Sequence, residues 1–162
     1  MNLFQLKEWW RYRRAARGRH GVHSPFVYRL VDEGLRSRLS GETKAALRKG
    51  LKSSYEYARE VTIFRCRQFL NAERNQTIPE NCIVLSGSSE KISDDFAQQM
   101  VKLGQGVAII ITDIHRDAER LLLWESLRDS QSVNLSIDFW YIGLLFHRSD
   151  FKEKQHFVLK HR

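Results

Sequence analysis

The apolar run VAIIIT (107–112) leads directly into Asp113-Ile114-His115, which sets a carboxylate and an imidazole two positions apart at its end. Open α/β sheets bind ligands outside the carboxyl ends of their strands, so such a pair is well placed for acid–base work or metal binding. The plainer alternative has Asp113 capping the next helix and His115 on the surface. With no companion site in the sequence, that alternative is the expectation. Ser86-Gly87-Ser88 also follows an apolar run and opens a helix, the arrangement that offers backbone N–H groups to a phosphate. No lysine stands at P-loop spacing, so this segment reads as an ordinary strand-to-helix turn. His20 and His23 flank a glycine turn, but no further ligand is placed to complete a metal site. Their expected work is to hydrogen-bond the turn. Cys66 and Cys82 lack metal-site spacing and read as reduced, buried thiols. No metal is expected.

A fourth feature is electrostatic. Residues 1–20 carry Lys7, Arg11, Arg13, Arg14, Arg17 and Arg19 against the single acid Glu8, so this short stretch holds +5 of a formal net charge of +8. Trp9, Trp10 and Tyr12 are interleaved with these cations. Rings beside cations suit single-stranded nucleic acid, where bases stack on them, or the surface of an anionic membrane. In the alternative, the rings pack on the domain and the arginines stay solvated.

Positioning these groups requires a fold, and the chain is long enough for one with a hydrophobic core. Its 42% apolar and 28% charged residues are ordinary for a globular protein, and two prolines among 162 residues argue against disorder. No apolar run approaches the ~18 residues of a membrane span, and no signal-peptide core precedes Arg11. A cytoplasmic protein is therefore expected.

Residues 3–17 have a helical period, with Leu3, Leu6 and Trp10 on the expected apolar face and Lys7, Arg11 and Arg14 beside it. Ser24-Pro25 is a helix start, followed by a buried stripe of Phe26, Val27, Leu30, Val31 and Leu35. A short helix at 42–52 comes next. Ser53 and Glu56 have capping-box spacing ahead of a helix at 55–73, with Val61, Phe64 and Phe69 inward. The polar stretch 71–81 is a linker.

Beyond it come a strand at 82–85, a helix at 93–103, the buried strand 107–112 and a helix at 117–129. Val133, Leu135 and Ile137 alternate as a half-buried strand, and 143–148 and 156–161 complete the sheet. The predicted fold is α/β: an N-terminal helical region, then a small, mostly parallel sheet with an antiparallel C-terminal end. The expected organisation is a basic helix (1–18), a helical region (19–75) and an α/β domain (76–162).

Two blocks carry a resemblance: RHGVHSPFVYRLVDEGL (19–35) and VAIIITDIHRDAERLLLWESLRDSQSVNLSIDFWYIGLLF (107–146), the latter finished by KQHFVLK (154–160). Together they resemble a group of class I S-adenosylmethionine-dependent methyltransferases typical of Bacteroidetes. There an HGVHSPFVY-type segment precedes a doubly wound domain that ends in DDIHW, IDLFF-GLVFF and QHFVL motifs.

The resemblance implies a truncated Rossmann-like half-sheet, because this chain lacks the family's ELGxxxG-type cofactor loop and the strands around it. It also aligns the family's DGNH loop with the segment after residue 85, so that Ser86 and Ser89 stand where the family has Asp and His. Thr112-Asp113 stands for the family's double aspartate. One remaining carboxylate does not make a Mg²⁺ site. The implied protein is a degenerate methyltransferase without cofactor, with S-adenosylmethionine bound only if the family activity survives.

Two other readings accompany it. One is an active methyltransferase with a site rebuilt from residues 86–96 and Asp113, shared across a homodimer. The other is a binding module working through its basic arm. Loss of strands also implies an exposed sheet edge open to self-association.

Overall fold

The computed structural model describes residues 2–18, 22–73 and 82–160. Five strands form one mixed sheet: β1 (Cys82–Leu85), β2 (Ala108–Thr112), β3 (Leu135–Asp138), β4 (Ile142–Phe146) and β5 (Gln155–Val158), in the order β1-β2-β4-β3-β5. β1 runs parallel to β2, with Cys82 opposite Ala108. β4 is inserted antiparallel between β2 and β3, with Ile110 opposite Leu144 and Ile137 opposite Leu144 from the other side. β5 then returns parallel to β3 along the far edge. The sheet is thus evenly mixed rather than mostly parallel, and its last strand is parallel rather than antiparallel. Only β4 supplies antiparallel pairing, because the tight turn after β3 sends it straight back.

The β-branched run of β2 is buried along its whole length, as a strand covered on both faces must be. One face carries Ala108 and Ile110 into a core with Phe26, Leu30, Phe69 and Leu144. The other carries Ile109 and Ile111 into a core with Ile92, Phe96, Leu103 and Trp124. The first layer is built by α2 (Pro25–Arg29), which continues as a π-helical turn over Leu30–Leu35, and by α4 (Ser54–Glu73). The second is built by α5 (Ser89–Gly104) and α6 (Ala118–Asp129). On the second face Gly143 passes directly beneath the Trp124 indole, where a Cβ would collide with the ring carbons.

The local start signals operate as the residue types require. Ser24 accepts the Val27 N–H at 3.3 Å with Pro25 at the first helical position. Ser53 and Glu56 exchange side-chain and backbone bonds at 3.1 and 3.2 Å. The predicted stripe Phe26, Val27, Leu30, Val31 and Leu35 is buried throughout. α3 (Gly41–Arg48) is shorter than the predicted 42–52, and α5 begins at Ser89, a turn earlier than predicted. Cys66 and Cys82 are buried and form no disulfide, and burial foremost, then the nearby Cys82, pushes the Cys66 thiol well above its ordinary pKa. No helix among the described residues is long and apolar enough to cross a membrane.

Two expectations are corrected. β3 is buried at every position, not alternately, because its polar residues Ser136 and Asp138 are covered by side chains from other elements. The N-terminal helix α1 (Leu3–Ala15) is also turned over relative to its apolar pattern. Leu3, Leu6 and Trp10 are exposed, while Glu8, Tyr12 and the following Ala16 face inward. The Tyr12 hydroxyl donates to the Leu159 carbonyl, and the chain after α1 bonds beside β5 through Arg17 N–H to Val158 O at 2.9 Å. Those backbone and hydroxyl bonds, rather than the leucines, set which face is buried.

Candidate functional site

The carboxyl ends of β1 and β2 are where an open sheet offers a ligand crevice. Ser86, Gly87 and Ser88 form the turn there, with Gly87 at φ +116°, a value that glycine alone reaches without strain. Ser88 caps α5 by accepting the Lys91 N–H at 3.2 Å. The opening between the two strand ends is occupied by a side chain of the protein itself. Arg120, 1% exposed, donates to the Gly87 carbonyl at 2.5 Å, to the Thr112 carbonyl at 3.0 Å and to Ser89 Oγ at 3.4 Å. Burial, and secondarily the nearby Arg116, lowers its pKa from the ordinary arginine value.

Asp113 follows β2 in the left-handed region, at φ 56°. It does not cap α6; Asp117 does, accepting the Arg120 N–H at 2.8 Å. Instead the Asp113 carboxylate accepts from Arg59 of α4 at 2.8 Å. Tyr55 lies alongside, and burial together with the Asp113 charge pushes its hydroxyl above the ordinary tyrosine pKa. A cavity of about 470 Å³ opens here, with Arg59, Arg67 and Arg116 in its walls.

His115 is not exposed, as the plainer alternative required. It is 7% exposed, and its Nε2 meets Asp138 Oδ2 at 2.7 Å. Asp138 uses its other oxygen to accept the Trp140 N–H at 2.8 Å. The imidazole stacks on the Trp140 indole at 4.6 Å between centroids and 15° between planes, and the Tyr12 ring meets it edge-on at 5.9 Å. Burial first, then the Asp138 charge, raises the Tyr12 hydroxyl pKa well above its ordinary value. Beside the pair, Ser136 and His156 share a hydrogen bond of 2.9 Å across β3 and β5. A narrow cleft of about 200 Å³ reaches both His115 and His156.

An Asp–His pair at strand ends resembles half of a nucleophilic triad, but the third member is missing. No hydroxyl or thiol among the described residues is hydrogen-bonded to His115, and its Nδ1 is buried without a partner. The pair joins the loop after β2 to the loop after β3 and supplies a platform for α1. Among the described residues no group of three or more His, Cys, Asp or Glu is placed to hold a metal ion. His23 is exposed, and His20 lies outside the described residues.

The basic arm is spread over two faces of α1. Arg11 is tied to Glu8 at 2.9 Å, and Arg13 lies over the Trp9 ring at 4.7 Å. Lys7, Trp10, Arg14 and Arg17 are exposed. No protein-family model, curated protein or solved structure matches this chain.

Three residues central to this region escape the sequence reading. Asp138 sits in a strand that looks half-exposed, Arg120 looks like a surface cation of α6, and Glu8 looks like the lone solvated acid of a basic arm. Asp138 carried a faint signal: an acid closing an alternating strand just before an aromatic turn, FWY, is in place to accept the turn's N–H groups.

Proposed function

We propose that this chain is a degenerate methyltransferase-like protein that has kept a Rossmann-like half-sheet and no longer binds S-adenosylmethionine. The observation that carries the reading is Arg120, whose guanidinium fills the gap between the ends of β1 and β2 and bonds both carbonyls there. S-adenosylmethionine does not fit what remains. Its ribose hydroxyls need a carboxylate, and Asp113, the acid at these strand ends, is held by Arg59. Its sulfonium would meet an adjoining cavity in whose walls Arg59, Arg67 and Arg116 outnumber Glu60 and Asp113. His115 and Asp138 clasp the loop after β2 to the end of β3 and take no part in methyl transfer.

Thermal unfolding with and without excess S-adenosylmethionine tests this. A ligand at a hundred times its Kd stabilises by about 2.7 kcal/mol, which for a chain of this size raises the midpoint by roughly 5–11 °C. No shift is expected. A shift of that size would support the opposing reading, in which Ser86, Gly87, Ser88 and Asp113 form a rebuilt site, within one chain or across a dimer.

The orientation of α1 favours a second role. Because Glu8 and Tyr12 take the inward face, Leu3, Leu6 and Trp10 point outward with Lys7 and Arg14 beside them. An outward stripe of leucine, tryptophan and cations suits the interface of an anionic membrane. Sedimentation with phosphatidylserine vesicles, lost on changing Lys7, Trp10 and Arg14 together to Ala, is the expected result. Undiminished sedimentation of that variant would remove the arm from the account.

A further inference from the structure

A separate cleft of about 500 Å³ lies between α1, α3, α4 and the ends of β3 and β5, within the range of small-molecule sites. Its walls combine two chemistries. Trp9, Tyr57 and Trp140 are among its rings, and Arg13, Lys44, Lys160 and Arg65 supply cations, the last donating to the Ser37 carbonyl at 2.9 Å. Among the described residues no carboxylate lines it. Several arginines elsewhere are matched to acids instead: Arg11 to Glu8 at 2.9 Å, Arg59 to Asp113 at 2.8 Å, Arg148 to Asp150 at 2.9 Å. A cleft lined by several cations with no acid among them has a positive potential that favours an anionic ligand.

The backbone at this cleft is also unusual. Trp140 has φ +71°, a genuine outlier for a bulky side chain. It is held there by Asp138, which accepts its N–H, and by the stacked His115 ring. Strained residues fixed by their surroundings cluster at ligand clamps. The His115–Asp138 clasp thereby acquires a purpose beyond joining loops, since it sets the indole that forms part of this wall.

We propose that the cleft binds a nucleotide, its planar base among the aromatic side chains and its phosphate on Arg13, Lys44 and Lys160. Every base has a face that stacks on an aromatic ring, and a phosphate takes charge-assisted bonds from lysine and arginine. Neither half suffices alone: an apolar ligand leaves the cations unopposed, and a bare anion makes no use of the rings. S-adenosylmethionine carries a base but a sulfonium in place of a phosphate, so it does not answer this lining. The same chemistry arrives either as a free mononucleotide or as one unit of a single strand.

The test is titration of the full chain at low salt, read by tryptophan fluorescence and calorimetry, with adenosine 5′-monophosphate and a single-stranded oligoadenylate as probes. Saturable binding of the monophosphate is expected, with adenosine and ribose 5-phosphate each weaker by about tenfold or more. Lys44 and Lys160 are exposed, so Lys44→Glu with Lys160→Glu leaves the unfolding midpoint in place while weakening binding by about tenfold or more. Trp9→Ala weakens it similarly. An oligoadenylate that binds more tightly than the monophosphate identifies a strand as the source, and equal affinity identifies the free nucleotide. Absence of saturable binding by both probes would overturn the proposal, as would unchanged affinity in the double lysine variant. Competition by S-adenosylmethionine on a par with the monophosphate would overturn it too, because the phosphate would then add nothing to the binding.

Discussion

Replacing Asp138 with alanine removes the acceptor of two buried bonds at once, to His115 Nε2 at 2.7 Å and from the Trp140 N–H at 2.8 Å. Both carboxylate and imidazole are almost fully buried, at 6% and 7% side-chain exposure, so water does not replace what is lost. A buried group left without its partner costs about 1–3 kcal/mol, and breaking a buried pair from one side costs about 3–5 kcal/mol. His115 is the more severe case because its Nδ1 already lacks a partner. The left-handed Trp140 backbone loses its tether in the same step. A total loss of about 3–5 kcal/mol corresponds to a fall in melting midpoint of roughly 6–20 °C for a chain of this length.

Asp138→Asn keeps one oxygen for the Trp140 amide and one polar atom for His115, so its loss is smaller, about 1–2 kcal/mol. Urea unfolding followed by circular dichroism measures both variants, and the near-ultraviolet signal reports the Trp140 environment separately. A double-mutant cycle with His115→Ala isolates the pair itself, with a coupling of about 0.5–3 kcal/mol expected. An Asp138→Ala protein as stable as the parent to within about 0.5 kcal/mol would refute the reasoning, since no clasp would then exist.

Other perturbations probe the remaining supports. Arg120→Ala removes the donor to the Thr112 carbonyl and the shorter of two to the Gly87 carbonyl, and is expected to lower stability by about 1–3 kcal/mol. Arg120→Lys should recover only part of that in the same urea assay, because an ammonium lacks the guanidinium fork. Gly143→Ala drives a methyl group into the Trp124 ring and is expected to cost about 1–3 kcal/mol, with a change in tryptophan emission that Gly104→Ala does not produce. The outer edge of β1 has no strand partner among the described residues, and such an edge invites pairing with another chain. Light scattering should therefore show mass rising with concentration, and a monodisperse monomer at high concentration would contradict it.

What the sequence made legible was local or strongly patterned. Ser24-Pro25 and the Ser53/Glu56 box act over three residues, so their bonds were readable where they stand. The run at 108–112 announced a strand buried on both sides because no polar residue interrupts it. The misreadings share a cause of the opposite kind. The apolar face of α1 is legible from Leu3, Leu6 and Trp10, but the face that is buried is set by Tyr12, whose partner, the Leu159 carbonyl, lies 147 positions away. His115 was expected at the surface because its partner is 23 positions on, in a strand whose polar face looked solvated. Arg120 was invisible for the same reason: the carbonyls that bury it come from two different strand ends. Pattern reports which residues are apolar, whereas the clasp, the plug and the α1 contact are polar bonds made across the fold.

We propose that the protein's own arginines close the ends of β1 and β2 to S-adenosylmethionine. Calorimetric titration of the intact chain with S-adenosylmethionine, with and without Mg²⁺, tests it most directly. The account predicts heats indistinguishable from dilution in both titrations, and saturable binding with a micromolar Kd in either one would contradict it.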